Sequence, residues 1–236
     1  MKATKHDSFR AVLFDFDGVL VNSEPLHFMA FKTAADSLGI GLSEAEYYDE
    51  LLGYDDRGAW KKLLVSREIE ASSAILLELL AFKSRVMREL IQSGKFAATP
   101  GASELVRTLW RHYPLAICSG AAREEIEGML ENIGLRDCFR VITAAEDVAI
   151  GKPDPSGYMQ TAAELSRLSG KIILPSHCLI VEDSPRVVKS VKKVGFRVLG
   201  VAGSVAADAL TTAGADAVVS DLSPASVKKA MPNLVR

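Results

Sequence analysis

Short apolar runs alternate along the chain with longer stretches in which apolar residues recur every three or four positions. The runs lie at residues 11–16, 115–118, 141–143, 178–182, 197–201 and 217–219. They are nearly continuous in apolar character, as expected of strands covered on both faces rather than strands with one wet side. Stretches of helical period lie between and after the later runs, at residues 101–112, 122–133, 155–168, 185–194, 205–213 and 224–230. Strands alternating with helices of this length predict an α/β fold, a doubly wound parallel sheet with helices on both faces.

The alternation breaks once. Between residues 21 and 97 no strand candidate stands out, only helical patterns. Ser23 as N-cap, Pro25 in the first turn and Gly39 as a stop predict one helix. Residues 74–92 predict another, with Leu76, Leu79, Leu80, Val86, Met87, Leu90 and Ile91 on one face. The expected organisation is therefore a core made of residues 1–20 and 98–236, interrupted by an all-helical cap domain at residues 21–97.

Composition narrows the function classes. The chain has 236 residues, with 28 basic against 30 acidic side chains and a net charge of −2. This near-balance offers no clustered basic surface for nucleic acid or an anionic membrane. No apolar run approaches the ~20 residues that span a bilayer. The first ten residues are polar, and the apolar stretch after them holds Asp15 and Asp17, so no signal peptide is expected. Cys118, Cys138 and Cys178 are widely spaced and odd in number, against both a disulfide framework and a thiolate zinc site. A cytoplasmic protein is expected.

Polar clusters punctuate the carboxyl ends of the predicted strands, where parallel sheets bind their ligands. The first is Asp15-Phe16-Asp17-Gly18, the second Ser119-Gly120, the third Gly151-Lys152-Pro153-Asp154-Pro155 and the fourth Glu182-Asp183-Ser184. Singly each has an ordinary explanation, as a turn, a helix entry or an N-cap with acidic help for the helix dipole. Two carboxylates within an apolar run are nevertheless costly to bury unless they bind a metal or take part in chemistry. Four such clusters in order, each at a strand end, point to one site.

Phe14-Asp15-Phe16-Asp17-Gly18-Val19, Ser119, Lys152 in Gly-Lys-Pro-Asp-Pro, and Glu182-Asp183 resemble the four motifs of the haloacid dehalogenase (HAD) superfamily. The long gap after the first motif resembles the capped group that contains β-phosphoglucomutase and phosphoglycolate phosphatase. The resemblance spans essentially the whole chain and implies a Rossmann-like HAD core. It makes Asp15 the nucleophile that attacks a phosphoryl group, forming an aspartyl-phosphate. Asp17 would be the acid that protonates the leaving oxygen and then the base toward water. Mg²⁺ is implied, a hard cation taking oxygens from Asp15, the Asp17 backbone carbonyl, Asp183 and Glu182, the last directly or through water. Ser119 and the Gly120 N–H would hold phosphoryl oxygens, and Lys152 would balance their charge. An acid at Asp17 serves a phosphate leaving group and not a halide. No GxxxxGK[ST] or GxGxxG occurs, so nucleotide-dependent readings lack a motif.

The resemblance also implies a substrate role for His27, early in the first cap helix, and for Lys83. Lys83 falls on the apolar stripe of its helix with Leu76, Leu79, Leu80, Val86 and Leu90, where a lysine ordinarily snorkels. The segment Gly53-Tyr54-Asp55-Asp56-Arg57 resembles a specificity loop, making Arg57 a substrate candidate against a solvated turn. β-Phosphoglucomutase holds its second phosphate with small polar residues after the motif serine. Here Ala121 and Ala122 stand in that stretch, a departure that Arg123 could offset.

The reading is a Mg²⁺-dependent phosphatase acting on a small phosphorylated metabolite, a sugar or polyol phosphate, as a monomer or weak dimer. The alternatives are a sugar phosphomutase, in which a sugar hydroxyl replaces water as acceptor, and a non-catalytic phospho-aspartate switch. Against the switch stands the full set of Asp15, Asp17, Ser119, Lys152 and Asp183, together with a large cap.

Overall fold

The computed structural model describes residues 9–51, 54, 56–203 and 205–235. Its strands, in chain order, are β1 (Ala11–Phe14), β2 (Val21–Asn22), β3 (Ala97–Ala98), β4 (Leu115–Cys118), β5 (Phe139–Thr143), β6 (Cys178–Glu182), β7 (Arg197–Val201) and β8 (Ala217–Val219). Six of them form a wholly parallel sheet in the order β5-β4-β1-β6-β7-β8. β1 is central, with Val12 opposite Leu115 on one side and Leu179 on the other. The chain builds outward from β1 to β4 and β5, then returns across β1 to β6. That return puts the topological switch point beside β1, where sheets of this class bind their ligands.

Strand residues are buried throughout β1, β4 and β6, so the continuous apolar runs reflect helices on both faces. Ala11 and Leu13 join Ala116, Tyr158, Leu165, Val188 and Val198 in one cluster. On β1, Phe14 meets Phe139 edge-on at 5.9 Å.

The chain divides into two compact units, Met1–Asn22 with Ala97–Arg236, and Ser23–Phe96. In the second unit, helices Glu24–Ser37, Asp56–Ser66 and Ser73–Gln92 enclose a separate cluster of Phe31, Tyr47, Trp60, Leu63, Leu64, Leu76 and Leu79. Phe31 and Trp60 are tilted against each other at 4.5 Å. Gly39, at φ +71°, ends the first helix as its position predicts, but the Ser23 hydroxyl makes no capping hydrogen bond. Ser72 does cap its helix, accepting from the Ile75 N–H at 3.3 Å.

Three expectations need correction. β1 ends at Phe14, and Asp15 and Phe16 already belong to the loop that follows. β5 begins two residues earlier than its apolar run, at Phe139. The stretch from 21 to 97 is not free of strand, because Val21 pairs with Ala98 and Asn22 with Ala97 in an antiparallel ribbon. Two-residue strands are too short to leave a period in the sequence. Among the described residues, no helix is long and apolar enough to cross a membrane.

Candidate active site

β1 delivers Asp15 to the carboxyl end of the sheet. Its N–H still bonds to the Val181 carbonyl at 2.9 Å, while its side-chain Oδ1 accepts from the Phe16 N–H at 2.7 Å. The chain then turns sharply, with Gly18 N–H on Val21 O and Leu20 N–H on Phe16 O. Gly18 is required there twice over. Its φ is +77°, and a Cβ would collide with the Asp183 carboxylate. The turn leaves Asp17 half-buried, with its Oδ2 3.4 Å from the Ser119 hydroxyl.

β4 brings Ser119 to the neighbouring strand end. Its N–H bonds to the Thr143 carbonyl, and its Oγ accepts from the Ala121 N–H at 3.0 Å. Gly120 beside it is exposed. Lys152 reaches in from the loop before helix Ser156–Ser169, and its peptide bond to Pro153 is cis. Its ammonium donates to Asp15 Oδ1 at 2.6 Å and to the Tyr158 hydroxyl at 3.0 Å, and lies 3.7 Å from Glu182 Oε1. It also sits 4.8 Å above the Tyr158 ring.

Tyr158 escaped the sequence analysis. It is fully buried and holds Lys152 from below, but a lone tyrosine on a helix face reads as core. Only its place one turn into the helix after the Lys-Pro-Asp-Pro stretch could have marked it.

Charge is uneven here. Glu182 is fully buried, and burial, followed by the nearby Asp15 charge, pushes its carboxyl well above the usual range despite Lys152. Burial pulls the Lys152 ammonium down, but Asp15 and Glu182 more than reverse this, and the net shift is upward. Burial likewise raises the Cys118 thiol to about 11, which keeps it inert beside the site. Oxygens of Asp15, Glu182 and Asp183 lie within 4.8 Å of one another, and Glu182 Oε1 is buried without a hydrogen-bond partner. Three carboxylates with an orphaned buried oxygen form a hard, all-oxygen donor set, which suits a small divalent cation such as Mg²⁺.

The structure thus gathers Asp15, Asp17, Ser119, Lys152, Glu182 and Asp183 at one end of the sheet. The remaining candidates are described by the contacts each makes within its own unit. Arg123 is engaged by the Ile142 carbonyl at 3.0 Å, by Asp147, and by Glu127 at 3.8 Å, none of which belongs to the cluster. Arg57 is exposed and has no partner among the described residues. Gly53 and Asp55 of the same segment lie outside the described residues.

Within the second unit, Lys83 does not snorkel. It is 1% exposed, and its ammonium bonds both oxygens of Asp56 at 3.0 and 2.8 Å and His27 Nδ1 at 2.9 Å. Burial, then the Lys83 charge, lowers the His27 pKa to about 4 against the opposite pull of Asp56. His27 is therefore neutral at pH 7, accepting at Nδ1 and carrying its proton on Nε2. From sequence Asp56 counts only as part of the loop at residues 53–57, with no role of its own, whereas in the structure Asp56 and Arg57 open helix Asp56–Ser66.

A parallel sheet that gathers the residues of all four motifs at its switch point fits the haloacid dehalogenase-like hydrolases, and the comparisons agree. Residues 12–201 match the family described as haloacid dehalogenase-like hydrolase, and the chain belongs to it. It is 32% identical to a phosphorylated carbohydrates phosphatase of Thermotoga maritima, over 89% of this chain and 93% of that protein. It is 26% identical to a validoxylamine A 7'-phosphate phosphatase of Streptomyces hygroscopicus subsp. limoneus, over 91% and 94% of the two chains. The crystal structure of CbbY from Rhodobacter sphaeroides in complex with phosphate shares the fold, with a TM-score of 0.80 at 24% identity over 96% and 99% of the two chains.

Proposed function

We propose that this protein is a Mg²⁺-dependent phosphatase of small phosphorylated carbohydrates. The observation that carries the reading is the Lys152–Asp15 contact of 2.6 Å set beside the carboxylates of Glu182 and Asp183. A carboxylate held by an ammonium, on a fixed strand end, is oriented to attack an electrophile that arrives with its own negative charge.

Asp15 Oδ attacks phosphorus in line with the ester oxygen, and the bond to that oxygen breaks as the aspartyl-phosphate forms. Asp17 gives its proton to the departing sugar oxygen, then takes one from the water that releases phosphate. Ser119 Oγ–H and the Gly120 N–H hold the equatorial oxygens, and Lys152 offsets the charge they gather. Asp15, Glu182, Asp183 and the Asp17 carbonyl would hold Mg²⁺, which supplies charge neutralisation between carboxylate and phosphate. The phosphatase names of the two relatives support the substrate class. Within the second unit, His27 and Lys83 are the candidates for recognising the carbohydrate.

Inorganic phosphate release from a panel of sugar and polyol phosphates, with and without Mg²⁺, tests this, with Asp15→Asn as the blank. Metal-dependent release that vanishes in the variant is expected. Release that survives Asp15→Asn, or that is indifferent to EDTA, overturns the mechanism. Isomerisation of a hexose 1-phosphate without net phosphate release would instead make the protein a mutase.

A further inference from the structure

We infer that the core carries a second ligand site at the amino-terminal end of the sheet, and that it takes a nucleotide. A cavity of about 780 Å³ opens there, within the ~300–1,000 Å³ typical of small-molecule sites. Among the described residues its Arg, Lys, Asp and Glu side chains are all of one sign. Arg10 enters just before β1, Arg140 from the second position of β5, and Lys171 from the turn after helix Ser156–Ser169, and among the described residues no carboxylate lines the cavity. This runs against a chain whose net charge is −2.

The cations are also unspent. Of the cations elsewhere among the described residues, Lys32, Lys62, Arg67, Arg136, Lys192 and Arg197 are paired with acids, while others such as Arg57 face solvent singly. Among the described residues, Arg140 and the Lys171 ammonium have no partner. Among the described residues the Arg10 guanidinium makes one bond, to the Ile172 carbonyl at 3.0 Å, which fixes it and leaves most of its donors open. Like charges gathered without counter-charge repel one another, and an anion with several negative oxygens relieves that repulsion.

The rest of the lining supplies an aromatic platform. Trp110, at the end of helix Ala102–Trp110, is 52% exposed, and Leu168 beside the same cavity is 47% exposed. An indole left half in water next to free cations suits a planar group that carries phosphates. A nucleobase stacks on Trp110 while a diphosphate spans Arg10, Arg140 and Lys171.

The site is distinct from the catalytic cluster. The five steps along β1 and its flank from Arg10 to Asp15 separate the two by about 16 Å at the ~3.3 Å rise of a parallel strand. The inference therefore stands whether or not the phosphatase reading holds.

ADP, pyrophosphate and adenosine, titrated by calorimetry into the full chain carrying Asp15→Asn in EDTA, test it. EDTA removes the metal that would help the catalytic cluster hold a phosphate, and the variant prevents turnover. ADP is expected to bind at least tenfold more tightly than either half alone, and to quench tryptophan emission in a way that Trp110→Phe abolishes. Trp60, the second of the two tryptophans, is fully buried and offers no face for a base to stack on. Arg140→Glu with Lys171→Glu should weaken ADP at least tenfold while leaving ester hydrolysis by the otherwise wild-type enzyme unchanged. Both side chains are exposed, and the neutral pair Arg140→Gln with Lys171→Gln repeats the test without reversing charge. No binding at millimolar ADP, binding indifferent to these changes, or pyrophosphate binding as tightly as ADP would each overturn the nucleotide site.

Discussion

At Gly18 a backbone turn and a carboxylate compete for the same space. The left-handed φ of +77° costs an ordinary residue about 1–2 kcal/mol, and a methyl group would also displace Asp183. Gly18→Ala should therefore damage the acidic cluster more than the fold. We expect Mg²⁺ affinity, read by calorimetry, to fall at least tenfold while the melting temperature drops by only a few degrees. Unchanged affinity would detach Asp183 from the metal. Asp17→Ala tests a different role. Phosphate release should slow by the ~10²–10⁴-fold typical of general acid–base catalysis, and less for an ester whose leaving group needs no proton. Equal loss on an aryl phosphate and a sugar phosphate would remove the acid role.

These residues were legible because their chemistry contradicts their surroundings. A carboxylate pair inside an apolar run, or a lysine between glycine and proline, has few structural uses. Tyr158 and Asp56 were illegible for the opposite reason, since each looks ordinary where it stands and acquires meaning only through the ammonium it meets.

Elements were legible in proportion to their length. The five-strand continuation of β1 and the helices between those strands follow from period alone. The β2–β3 ribbon and the π-helical turn Tyr47–Leu51, whose Tyr47 hydroxyl bonds Glu24 at 2.6 Å, do not. Helix Ser73–Gln92 shows what an element can hide. Its apolar stripe carries Lys83 into the interior, where one ammonium is shared between a carboxylate and an imidazole. That arrangement requires a neutral His27. As pH falls below 6.5 the unfolded imidazole takes up its proton, whereas the folded one does so only near 4. Across that window the unfolded chain binds more protons, so stability decreases with falling pH, by on the order of 3 kcal/mol from this group when complete. Urea unfolding of the full chain between pH 7 and 4.5 should show this slope, and His27→Gln should flatten it. Parallel slopes for the two proteins would place the acid sensitivity elsewhere.

On the scale of the whole molecule, each unit has an apolar cluster of its own. The cluster around Leu13, Tyr158 and Val198 draws only on the first, and the cluster around Phe31, Trp60 and Leu76 only on the second. All six residues gathered at the sheet's carboxyl end also come from the first unit. The insert leaves and re-enters at paired residues, Asn22 opposite Ala97, with β2 and β3 running antiparallel. Such partners lie about 5 Å apart, a gap that a two-residue turn closes. A chain in which residues 23–96 are replaced by Asn-Gly should therefore fold as a single cooperative unit and still bind Mg²⁺ through Asp15, Glu182 and Asp183. If the second unit supplies the recognition of the carbohydrate, the shortened enzyme should lose its preference among sugar phosphates while keeping some activity on a small aryl phosphate. A shortened chain that melts without cooperativity would mean that the sheet depends on its insert. One that folds and keeps the full substrate preference would put specificity in the first unit, and His27 and Lys83 would then be parts of the second unit's own packing.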